Sequence, residues 1–120
     1  MDIVSVAQEI ENTIKILRKG RSLLPGRAKN KAEATAMYDK AIAKTLIQLK
    51  NGVKFTLDDQ VIENPPASYC EKIARGLCWN ERIALDLAES EYKNAIEGLR
   101  CIEAELNGWQ SYNRYLQDKA

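Results

Sequence analysis

Apolar residues return every three or four positions through most of this chain, and the longest such run lies towards its C-terminal end. From Leu85 the series Leu85, Ala88, Tyr92, Ala95, Leu99, Ile102, Leu106, Trp109, Asn113, Leu116 keeps a 3-4 spacing for more than four heptads. That spacing predicts one long helix from Asn80 to about Gln117 with a continuous seam, Asn80 as its cap and Glu81 at its positive end. At about 1.5 Å per residue such a helix is roughly 55 Å long, too long for one short neighbour to cover, so the rest of the chain or a second copy must lie along it.

Upstream, Ile3, Ala7, Ile10, Ile14 and Leu17 repeat at 4-3-4-3 spacing and predict an amphipathic helix from Asp2 to about Lys19, closed by Gly20. The stretch Gly20 to Asn30 carries two glycines and the turn pair Pro25-Gly26, and reads as a linker loop. Within it Leu23 and Leu24 either tuck under the bundle end or form a small exposed contact. A second helix is expected from about Asn30 to Lys50, with Tyr38, Ala41, Ile42, Thr45, Leu46 and Leu49 on one face and Asn51-Gly52 as its stop. Val53 to Thr56 is briefly extended, Thr56-Leu57-Asp58-Asp59 fits a capping box, and Asn64-Pro65-Pro66 interrupts any helix. Ser68-Tyr69-Cys70-Glu71 fits a second capping box for a short helix that Arg75-Gly76 ends. The predicted fold is all-α: a helical bundle of two medium helices and one short helix packed along the long C-terminal heptad helix, in a single domain over residues 1-120 with no competing strand signal.

Composition narrows the function. With 120 residues, 45% hydrophobic and 29% charged, the chain suits one modest globular core. The net charge of +1 demands neither nucleic acid nor membrane as a partner. Cys70, Cys78 and Cys101 are odd in number and form no Cys-x-x-Cys pair, and with no histidine they complete no zinc set, so they read as small packing residues in a reduced setting. Met1-Asp2-Ile3-Val4 lacks the features of a signal peptide and no apolar run approaches 18 residues, so a soluble cytoplasmic protein is expected. Without histidine a serine or cysteine nucleophile lacks its usual activator, no phosphate-loop motif is present, and Asp86, Glu89, Glu91, Glu97, Glu103 and Glu105 fall off the seam as solvated carboxylates. The expectation is therefore a protein that is not an enzyme, with no cofactor and no metal.

Two local features point to binding. Between Asn12 and Ala32 there is no acid, while Lys15, Arg18, Lys19, Arg21, Arg27, Lys29 and Lys31 supply seven positive charges; Glu81 to Glu105 is conversely acid-rich. The basic span reads as a phosphate-binding loop at one tip, as a contact for an acidic protein surface, or as charge that merely complements a helix end and keeps it soluble. Near the C-terminus, Trp109, Tyr112, Asn113, Arg114 and Tyr115 lie within two turns. Trp109 belongs to the seam and reads as core, Tyr112, Tyr115 and Arg114 have the composition of interface anchors or base-stacking platforms, and Asn113 is a polar residue of the kind that sets coiled-coil register, so this segment is the candidate homo-oligomer interface, with plain intramolecular packing as the alternative.

The runs Ala84-Leu85-Asp86-Leu87-Ala88-Glu89-Ser90-Glu91-Tyr92-Lys93, Ala104-Glu105-Leu106-Asn107-Gly108-Trp109-Gln110-Ser111 and Lys31-Ala32-Glu33-Ala34-Thr35-Ala36-Met37-Tyr38 resemble a group of small all-helical phage and prophage proteins found among recombination and replication genes. The segment from Phe55 to Ala67 departs from that pattern. The resemblance implies no catalytic residues. Three functions stay open: a non-catalytic, phage-derived protein that docks on a DNA-handling or host-defence complex; direct nucleic-acid binding through the basic span 15-31; and a purely structural helical oligomer.

Overall fold

The order of elements is α1 (Ile3–Lys50), β1 (Phe55–Leu57), β2 (Gln60–Ile62), α2 (Ala67–Leu77) and α3 (Trp79–Lys119). The structure, a computed structural model, describes residues 1–119. The all-α class and the long C-terminal helix are as expected, and the seam is reproduced position by position: Leu85 is buried and every other seam residue from Ala88 to Leu116 is half-buried, while the six carboxylates off the seam are exposed.

Several expectations are overturned. The Gly20 to Asn30 stretch is not a loop: α1 is one helix of 48 residues with Pro25 inside it, so the two medium helices are one. Its covered positions, Val6, Ile10, Thr13, Leu17, Gly20, Leu24, Arg27, Lys31, Ala34, Tyr38, Ala41, Thr45 and Gln48, keep an unbroken 3-4 repeat through that stretch. Packing along this repeat outweighs a proline and glycines that cost about 3 and about 1 kcal/mol in a helix interior. The face also differs from the Ile3-Ala7-Ile10-Ile14-Leu17 stripe: Val6 and Thr13 are buried, while Ile3 and Ala7 are exposed. Thr13 is tolerated there because its hydroxyl donates to the Glu9 carbonyl at 2.8 Å.

The second correction concerns strands. β1 and β2 form an antiparallel hairpin with Phe55 opposite Ile62 and Leu57 opposite Gln60. Asp58 and Asp59 take φ of 46° and 65°, so both central residues of the turn are left-handed, as in the type I′ turns that match strand twist. The Thr56-Leu57-Asp58-Asp59 text is therefore a hairpin turn rather than a helix cap. Ser68 makes no cap either: Pro66 precedes α2, whose N-terminus has no side-chain cap bond. Asn80 lies inside α3, and the break between α2 and α3 is the single residue Cys78, whose amide donates to the Ala74 carbonyl at 3.0 Å and whose carbonyl accepts the Arg82 amide at 3.1 Å. The stop after Lys50 is as read: Gly52 at φ 80° lets its amide reach the Leu49 carbonyl at 3.2 Å and the Val53 amide reach that of Gln48 at 3.0 Å.

The chain forms two units, each using part of both long helices: Met1–Ala28 with the chain from Ser90 onward, and Lys29–Glu89. In the first, Arg21 donates to Glu103 at 3.1 Å and Arg27 to Glu91 at 3.0 Å, so rising numbers on α1 meet falling numbers on α3 and the pair is antiparallel. Gly20 sits where this pair closes, since a Cβ there would lie 2.8 Å from Leu99 Cδ2. Gly20→Val is expected to cost about 1–3 kcal/mol through overpacking, and a double-mutant cycle with Leu99→Ala should recover most of that cost. An additive cycle would place the clash elsewhere.

At the start of this unit the Ser5 amide donates to Asp2 Oδ1 at 2.7 Å, capping α1 and holding the Asp2 carboxyl below its ordinary value, with the nearby N-terminal charge a smaller cause. A depressed folded-state value means that the cap's contribution is present above the ordinary carboxylate range and is lost as pH falls below about 4. The Ser5 amide shift, followed by NMR from neutral to acid pH, should move through that window, and Asp2→Asn should abolish the titration.

The second unit carries the denser core. Tyr38, Cys78 and Leu85 form a buried cluster against which Ala34, Ala41 and Ile42 pack. Leu49, Cys70 and Ala74 are also buried. Thr45 Oγ1 lies 3.5 Å from Cys78 Sγ, the Cys70 thiol donates to the Pro66 carbonyl at 3.5 Å, and Cys101 is exposed.

Candidate functional site

The basic span is helical, so its side chains radiate instead of gathering on a loop, and the reading of a loop at one tip is corrected. Lys15, Arg18, Lys19, Arg21 and Arg27 belong to the first unit, Lys29 and Lys31 to the second. Four of the seven stand in ion pairs: Lys15 with Glu11 at 3.6 Å, Arg21 with Glu103 at 3.1 Å, Arg27 with Glu91 at 3.0 Å and Lys29 with Glu33 at 3.8 Å. Two of the acids come from α3, so the acid-rich and base-rich stretches that look opposed in the sequence neutralise one another within the first unit. Lys31 occupies a seam position and is half-buried. Arg18 and Lys19 are exposed and have no ion pair among the described residues; with Lys15 they share one outward arc at i, i+3, i+4 spacing.

The C-terminal group stays together on α3. Trp109 and Asn113 are half-buried on the seam, and Tyr112 and Tyr115 are exposed beside it. The two tyrosine rings stack with centroids 6.3 Å apart and planes 13° apart, and Lys119 Nζ sits 5.5 Å from the Tyr115 centroid. Arg114 reaches Ser111 Oγ at 3.4 Å and no acid. In the same unit Val6, near the start of α1, is fully buried. Of the two neighbours expected along the seam, the rest of the chain or a second copy, the chain's own α1 lies against it where Gly20 meets Leu99, Arg21 meets Glu103 and Arg27 meets Glu91.

Sequence reading missed a third group, in the second unit. Trp79, Ile83 and Leu87 stand at i, i+4 and i+8 on α3 and are 53%, 50% and 60% exposed. The signal was present, since all three lie off the seam, but a reading organised by the seam assigned them no role. Trp79 also lines a shallow hollow with Leu57, Asp58 and Gly76, so the stripe continues toward the hairpin turn. Beside it the Arg82 guanidinium lies 5.5 Å over the Tyr38 ring and 3.1 Å from Asp86. These two contacts, Tyr38 foremost, raise the Arg82 pKa and keep its charge fixed. Also missed were Lys40 and Lys44, which have no acid three or four residues away in sequence and no ion pair among the described residues.

Among the described residues no three His, Cys, Asp or Glu side chains come together as a metal set, and no helix is long and apolar enough to cross a membrane. Comparison with protein-family models, curated proteins and solved structures finds no match to this chain.

Proposed function

We propose that this chain is a non-catalytic helical binding protein that acts by contact with another protein, in keeping with the phage-type resemblance and its DNA-handling or host-defence setting. The observation that carries the reading is the Trp79-Ile83-Leu87 stripe, three large apolar side chains half or more exposed on one helix face. Apolar groups clustered in this way mark contact sites, and tryptophan is the residue most enriched among interface anchors. The carboxylates of α3 support the non-catalytic part, because Asp86, Glu91, Glu97 and Glu103 are exposed and engaged with arginines. The test is affinity capture with the wild-type protein beside an Ile83→Asp, Leu87→Asp variant. A partner retained by the first and lost by the second supports the reading; an identical set of captured proteins would sink it.

Direct nucleic-acid binding is the second reading, favoured by the unpaired heads of Arg18 and Lys19. With so few free cations the salt dependence should be shallow, about one unit of slope per phosphate contact. Arg18→Gln with Lys19→Gln should flatten it by about two units. No mobility shift of DNA by the wild-type protein at about 50 mM salt ends this reading. A structural homo-oligomer is the third, read by light scattering: a monomer at tens of micromolar excludes it.

A further inference from the structure

A groove runs along α1 within the second unit. Its smaller part, about 210 Å³, is lined by Asn30, Ala34, Met37, Glu81 and Ala84 among others. Its larger part, about 670 Å³, continues past Met37 and Glu81, which the two share, to Lys40, Lys44, Gln48 and the hairpin residue Phe55. From Asn30 to Gln48 the groove follows α1 for about 27 Å at 1.5 Å per residue. That is the length of a five-turn helix, longer than a compact metabolite needs. Ala34, Ala41, Phe55 and Leu77 give it an apolar floor, and the unbranched Met37, 66% exposed at its middle, can adapt to different side chains.

Charge along the groove is uneven. Lys40 and Lys44, one turn apart in the half of the groove towards Gln48, have no ion pair among the described residues, whereas Glu33 in the other half is held by Lys29 at 3.8 Å. Glu81, half-buried midway, opposes an acid at the centre of any occupant. We propose that this groove takes an amphipathic helix of a partner protein, apolar face inward, with acidic residues confined to the half that lies against Lys40 and Lys44. Acidic residues near an N-terminus satisfy the partner helix's own dipole as well, so that half is its N-terminal one. The proposal rests on the reading of this chain as a protein-binding module, and it stands apart from the Trp79-Ile83-Leu87 surface: capture through that surface can persist while the groove stays empty.

The experiment is a display library of 18-residue helices with leucine or isoleucine at i, i+3, i+4 and i+7 spacing and Asp, Glu, Gln or Lys randomised elsewhere, panned against the full chain. Recovered peptides should concentrate Asp and Glu in the N-terminal half. Their affinity should fall at least tenfold in the Lys40→Glu, Lys44→Glu variant and at least tenfold in Met37→Asp. Circular dichroism should be unchanged in the lysine variant, whose substituted side chains are exposed. Peptides without acidic bias, equal binding to the lysine variant, or no binders at all would overturn the proposal. So would dodecanoate competing for Lys40 and Lys44 where no peptide does, or self-association of the chain that the lysine variant abolishes.

Discussion

Pro25→Ala is expected to stabilise the protein by about 2 kcal/mol, an unusual gain for one exposed position. Pro25 lies inside α1, where it has no amide to offer the Arg21 carbonyl and its ring crowds that carbonyl, a defect worth about 3 kcal/mol in a helix interior. The opposing effect is that proline stiffens the unfolded chain, and its removal costs up to about 1 kcal/mol. The helix gain is the larger, and the exposed side chain brings no packing loss. Thermal unfolding should shift upward by several degrees. A fall in stability would mean that Pro25 holds a helix geometry on which the pairs Arg21–Glu103 and Arg27–Glu91 depend, and the chemical shifts of those arginines would report it.

Tyr38→Ala has the largest expected cost, about 3–5 kcal/mol, as for other buried aromatics cut back to alanine. Tyr38 is 6% exposed, packs with Cys78 and Leu85, and is the only aromatic among the buried side chains of the described residues. Its loss opens a cavity at the place where α1 meets the α2–α3 junction, and it also removes the ring under Arg82. Tyr38→Phe keeps the ring and should cost far less. Urea unfolding of the two variants separates packing from the hydroxyl: equal losses would assign the energy to the hydroxyl instead.

These two residues also mark how far the chain is legible. Tyr38 was placed correctly from its apolar neighbours at helical spacing, and so were Leu85, Leu99 and the remaining α3 seam, because the apolar positions there are dense and the intervening ones charged. Pro25 misled, because the α1 repeat passes through Thr13, Gly20, Arg27 and Lys31, none of which registers as apolar, while Pro25-Gly26 carries a strong turn signal. The hairpin was missed because its strands span three residues each and its turn uses Asp58-Asp59 where Asn-Gly is usual. The basic span was legible as charge and illegible as a surface, since its partners stand 82 and 64 residues away on α3.

By itself the sequence determined what local spacing determines: helical class, the face of α3 and the stop at Asn51-Gly52. Only the tertiary structure decided that α1 continues through Pro25, that arginines of α1 spend their charge on glutamates of α3, and which apolar residues stay uncovered. The physical reason is the same in each case. A helix's hydrogen bonds close within four residues and leave their mark in the text. Burial and ion pairing depend on which distant segment lies alongside, and that partner can override propensity costs of several kcal/mol without appearing in the local sequence at all.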